Sequence, residues 1–139
     1  MNASSDRLLR RTLWGNAVFS VASGAGLAIF AGPFAGAAAR APVEVAGLDL
    51  AIVLELLGLG VIAFGAFCAW VASRETLPEG WARVIFAADL AWVAGSVLVL
   101  ALPAMWTTAG IAGIVVLALI VADLAILEYL GLRRLSTAT

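Results

Sequence analysis

The sequence predicts an all-α protein, a four-helix transmembrane bundle of up-down-up-down topology with both termini cytoplasmic. Three observations predict it. The chain has 139 residues, of which 64% are hydrophobic and only 12% charged, with a mean hydropathy of +1.10. Soluble domains are about half apolar and about a quarter charged, so this composition fits lipid rather than water as solvent. Four apolar stretches each reach the length of about 20 residues that a spanning helix needs. The basic residues, all arginine, are also unevenly placed. With the N-terminus inside, Arg7, Arg10, Arg11, Arg74, Arg83, Arg133 and Arg134 are cytoplasmic and Arg40 alone is outside. That is the positive-inside pattern of a multi-pass protein of the cell inner membrane.

The chain reads as one transmembrane domain over residues 1–139. Met1 to Leu9 is polar and reads as a frayed start. The first helix is expected over 12–34. Arg10-Arg11, the apolar run and Ala37-Ala38-Ala39 together resemble a secretory signal. However, the run exceeds the roughly 7–15 apolar residues of a signal peptide, so a retained helix is expected. Gly32 to Gly47, with Pro33, Pro42 and a run of Ala, reads as a connector. The second helix is expected over 48–73, followed by a charged turn broken by Pro78 and Gly80. The third is expected over 82–102, ending at Pro103, with a tight turn from Ala104 to Thr107. The fourth is expected over 108–132, closing on Arg133 and Arg134, with a short polar tail after it. Short connections make consecutive helices antiparallel neighbours.

The polar residues inside these stretches are the informative ones. Asp89, Trp92 and Ser96 are spaced i, i+3 and i+7, so they share one face of the third helix. Asn16, Phe19 and Ser23 repeat that spacing on the first. An acid on a spanning helix is costly and normally faces protein or water. At about 1.5 Å per residue, Asp89 lies roughly 9 Å in from Arg83 and Asp123 roughly 15 Å in from Arg133. Asn16, Asp89 and Asp123 are therefore expected to meet between helices one, three and four. Glu128 is expected to snorkel to the inner interface and reach Arg133 or Arg134. Glu55 shares a face with Gly58, Ile62, Gly65, Ala69 and Ala72, a small-residue stripe that lets another helix approach closely, either within the bundle or at a dimer seam. Trp14, Trp70, Trp81 and Trp106 fall near the interfaces, as an aromatic belt does. Trp92 lies deeper. Its indole N–H needs a partner, either a neighbouring helix or the lining of a cavity shared with Asp89. Cys68, the one cysteine, reads as a small buried hydrophobe.

The segments Asn16-Ala17-Val18-Phe19-Ser20, Ala88 to Ser96 and Gly131-Leu132-Arg133-Arg134 resemble a group of small bacterial four-helix integral membrane proteins without an assigned activity. The resemblance covers the whole length and implies the topology, with no catalysis. The chain does not resemble small multidrug-resistance transporters, which carry an essential Glu in the first helix where this sequence has Asn16.

No catalytic residue, metal ligand set or cofactor is expected. There is no histidine, which removes the usual haem ligand and neutral-pH proton shuttle. The serines lack a base, and the glycines sit within spanning helices rather than in a phosphate loop. No basic, aromatic-rich surface points to nucleic acid. Two functional classes remain. The first is a non-catalytic accessory or lipid- or ligand-binding bundle with an intramembrane polar cluster. The second is a small proton- or cation-coupled transporter or channel, a homodimer if so. The candidate residues for either are Asp89, Asp123, Asn16, Trp92 and Glu55. The expected partners are the lipid bilayer, a homo-oligomer or larger membrane complex, and a bound lipid or small apolar ligand.

Overall fold

The computed structural model of the chain describes residues 5–102 and 105–136. Helix α1 spans Ser5–Ile29. It begins at Ser5 rather than Thr12 because the polar start is itself a good first turn. Asp6 lies at the electropositive helix end and pairs with Arg10 one turn on, at 3.0 Å. It ends at Ile29 rather than Phe34 because of Pro33. A proline has no N–H for the carbonyl four residues back, and its ring clashes there. The chain turns at Phe30 (φ −108°, ψ 24°) and resumes as α2, Ala31–Ala38, with Pro33 in its first turn.

The expected connector over 32–47 is therefore structured. After α2 come two short antiparallel strands, β1 (Glu44–Val45) and β2 (Leu48–Asp49). Ala46 and Gly47 between them have φ of 53° and 79°, as a two-residue type I′ hairpin turn requires. Asp49 then caps α3 (Leu50–Ala72), its carboxylate accepting from the Ala51 N–H at 2.8 Å. Helix α4 spans Glu79–Leu100 and α5 spans Thr108–Ser136. Pro103 and Ala104, where a helix stop and a turn are expected, lie outside the described residues, as does most of the polar tail.

Four helices, α1, α3, α4 and α5, are long and apolar enough to cross a membrane. Large apolar side chains cover their outer surface: Ile29 is 73% exposed and Leu98 70%. Such a coat suits hydrocarbon and is far larger than the apolar patches of soluble monomers.

Around the bundle the order is α3, α1, α5, α4. Helix α1 packs most extensively on α3 and next on α5, α4 packs on α5, and α3 and α4 meet mainly at the end near their short link, where Phe67 and Trp81 touch. Glycines bring α1 and α3 together. A Cβ on Gly58 would lie 2.6 Å from the Ala28 nitrogen and the Gly24 oxygen, and one on Gly65 would lie 2.9 Å from the Ala17 oxygen. The small-residue stripe of α3 thus packs inside the bundle.

The apolar core lies at the end where α1 begins, formed by Leu9, Leu13, Ala17, Cys68, Val71, Ala82 and Ile85. There Arg10 ties α1 to the end of α3, donating to the carbonyls of Ala72, Arg74 (2.7 Å) and Glu75 (3.2 Å). Phe67, Trp70 and Trp81 form an edge-and-face aromatic group beside it, and the Arg74 guanidinium lies over the Trp70 ring at 4.2 Å. At the opposite end, α2 is stitched to the segment before α5. Arg40 N donates to the Met105 carbonyl (3.0 Å), Arg40 Nε to that of Trp106 (2.9 Å), and Thr107 N to that of Ala38 (2.8 Å).

Candidate functional site

Midway along α1, Asn16 and Ser20 stand one turn apart on the face turned into the bundle, 1% and 4% exposed. The Asn16 amide holds two acids. Its Nδ2 donates to Asp89 Oδ2 of α4 at 2.6 Å and to Glu128 Oε1 of α5 at 3.0 Å. Ser20 Oγ donates to Asn16 Oδ1 at 3.0 Å. Every hydrogen-bonding group of the Asn16 side chain is thus engaged. Asp89 is buried and Glu128 is wholly buried. Glu128 Oε2 has no hydrogen-bond partner among the described residues.

The structure brings Asn16 and Asp89 together as expected. Two other expectations are corrected. Asp123 does not join the cluster and is exposed on the outer surface of α5. Glu128 does not snorkel to Arg133 or Arg134; it occupies the place expected for Asp123. Helix geometry is the reason. Val121, Ala125, Glu128 and Leu132 form the buried stripe of α5, spaced i, i+4, i+7 and i+11. Asp123 is two residues past Val121, roughly 200° round the helix. Glu55 is also exposed, at the margin of the glycine stripe near the start of α3.

Above the cluster, in the half of the bundle nearer α2, lies a cavity of about 330 Å³. All four spanning helices line it. Phe19, Ser20, Ser23 and Leu27 come from α1. Leu56, Leu57, Gly60, Val61 and Phe64 come from α3. Ala88, Asp89 and Trp92 come from α4, and Leu117 and Val121 from α5. Phe19 and Ser23 of the α1 stripe and Asp89 and Trp92 of the α4 stripe therefore line one space, while Asn16 lies in the cluster beneath it and Ser96 stays outside, donating back to the Trp92 carbonyl at 2.9 Å. The Trp92 N–H does not reach a neighbouring helix. Its Nε1 is buried with no partner among the described residues, and Trp92 shares the cavity wall with Asp89.

Chemically, the arrangement is a hydrocarbon-lined space with a polar floor. Asp89 and Ser20 belong to both the floor and the hydrogen-bonded cluster beneath it. Sequence reasoning offered a cavity shared by Asp89 and Trp92 as one alternative, but missed the place of Glu128 and the closeness of Gly24 to Gly58. No known family, curated protein or solved structure matches the chain.

Proposed function

We propose that this chain is a non-catalytic integral membrane bundle that holds the apolar part of a lipid or small ligand between its helices. In this reading the helices run up-down-up-down with both termini cytoplasmic, which the arginine distribution and the short links support. The polar cluster fixes the register of α1, α4 and α5 and forms the floor of the binding space. One observation carries the reading: a cavity of about 330 Å³, walled by apolar side chains of all four spanning helices, ends on the buried carboxyl of Asp89. Its size and lining are those of a small-molecule site, apolar with few convergent polar groups.

Native mass spectrometry of the protein released from lipid tests this. The expected result is a retained small molecule on the wild type and none on Gly60→Phe. Gly60 lines the cavity, and a Cβ there meets nothing within 4 Å, so the larger side chain fills the space without a backbone clash. A wild type that keeps its fold yet retains nothing would sink the reading.

A second reading, a homodimeric proton- or cation-coupled transporter or a subunit of a larger membrane complex, is favoured by Asp123 and Glu55. Both acids turn away from the bundle at membrane depth, where lipid is a costly neighbour. The same spectra report it as a dimer or larger assembly. Proton flux into liposomes that is lost in Asp89→Asn would then replace the first reading with this one.

A further inference from the structure

Resting on the binding reading above, we infer that the ligand carries a cationic nitrogen: an alkylammonium amphiphile whose chain fills the cavity and whose head meets Asp89. The inference starts from counting donors and acceptors. Asp89 and Glu128 bring two carboxyl groups, hence four oxygens, to one buried cluster. The donors that meet them are the two N–H groups of a single amide, Asn16, and a proton shared between the two carboxyls. The Ser20 hydroxyl is directed to the Asn16 oxygen instead. Glu128 Oε2, on a wholly buried side chain, is left without a donor.

Buried polar groups are almost always satisfied, and buried charges are paired. The cluster is therefore short of a donor and of positive charge, and Asp89 is the acid of the cluster that reaches the cavity. Each candidate head group fares differently against that deficit. A carboxylate or phosphate head brings a further acidic group to a site that already holds two. A hydroxyl adds one donor and no charge. An ammonium adds up to three donors and one positive charge. The walls decide the remainder of the ligand. Leu27, Leu56, Leu57, Val61 and Phe64 offer hydrocarbon contact only, so a bare inorganic cation leaves the space unfilled.

The test uses the full chain in lipid nanodiscs and three twelve-carbon probes: dodecylamine, dodecanol and dodecanoate. Specific binding is what exceeds the Gly60→Phe protein, which corrects for partition into lipid. The expected order is amine tightest, with dodecanol at least about tenfold weaker and dodecanoate not detectable, since a buried charge pair is worth more than one neutral hydrogen bond. Asp89→Asn should weaken the amine about tenfold or more and change dodecanol less than about threefold. Glu128→Gln is the second variant, with the same expected direction, and dodecanol binding in each variant verifies that the cavity still forms. If both variants unfold, the probe order on the wild type alone decides. Equal specific binding of amine and alcohol would overturn the cationic class and leave the cavity reading standing. No specific binding of any probe would overturn the cavity reading itself.

Discussion

Asn16 ties three helices together through one side chain. Its two N–H groups hold acids from two other helices, and its oxygen is held by Ser20. Replacing it with Leu removes both donors and leaves two buried acids facing each other. Unfolding in detergent, followed by helical circular dichroism, should show a loss of about 2–4 kcal/mol for Asn16→Leu. Asp123→Asn is the contrast, because Asp123 takes no part in the cluster. In the isolated chain its effect should stay within about 0.5 kcal/mol. A large effect of Asp123→Asn with a small effect of Asn16→Leu would contradict this assignment. The cluster was partly legible in the sequence. Asn16 lies five residues past Arg11 and Glu128 five before Arg133, so both lie at one depth, and Asp89 six past Arg83 lies close to it. Asp123 lies ten residues from Arg133, a full turn and more too deep. Ala125 and Gly131 beside Glu128 also mark the packing stripe of α5. Depth and stripe together single out Glu128. The expectation that an acid near a helix end snorkels outweighed both signals.

At the scale of elements, the α1–α3 seam is set by glycine. The backbones at Gly24, Gly58 and Ala28 leave no room for a methyl group. Gly58→Leu must therefore part the two helices or expel one side chain, an overpacking cost of about 1–3 kcal/mol. The same unfolding experiment reads it, and Gly26→Leu is the control, since a Cβ at Gly26 meets nothing within 4 Å. Equal losses at the two positions would rule out a tight seam. The four spanning helices were legible because twenty apolar residues between polar breaks have few other solutions. Their ends were less so. The first helix hides its start in a polar turn, where Asp6 and Arg10 stabilise it without any apolar periodicity. Pro33 was visible as a breaker, but a short helix and a six-residue hairpin beyond it are too brief to impose a period. The turn residues Ala46-Gly47 were the one local sign of the hairpin, and Ala is an unusual choice where φ is positive.

At the scale of the whole molecule, the bundle is unevenly packed. Leu9, Leu13, Cys68 and Ile85 are completely buried at the end where α1 begins, whereas the half nearer α2 holds the cavity. Thiol labelling in nanodiscs separates the two halves. Cys68 should resist an apolar maleimide on the native protein, while a cysteine placed at the half-buried Val61, on the cavity wall in a Cys68→Ala background, should react at least about tenfold faster, since reaction at a buried site waits for local opening. Similar rates at both positions would show that the packing difference does not persist in lipid. None of this unevenness was legible beforehand. Each helix is apolar all round, so hydropathy carries no record of which faces meet.

The stitches between α2 and residues 105–107 have a consequence for traffic. They tie the end of the bundle beyond the cavity together, through the Arg40 and Thr107 hydrogen bonds, while the cavity floor is formed by the Asn16 cluster with the packed core below. The one poorly closed side is the gap between α3 and α4 away from their short link. In a bilayer crossed by the four long apolar helices, that gap faces acyl chains rather than either aqueous phase. A molecule bound here would arrive edgewise from the surrounding leaflet, so its concentration in the membrane, rather than in water, would govern how often the space is filled.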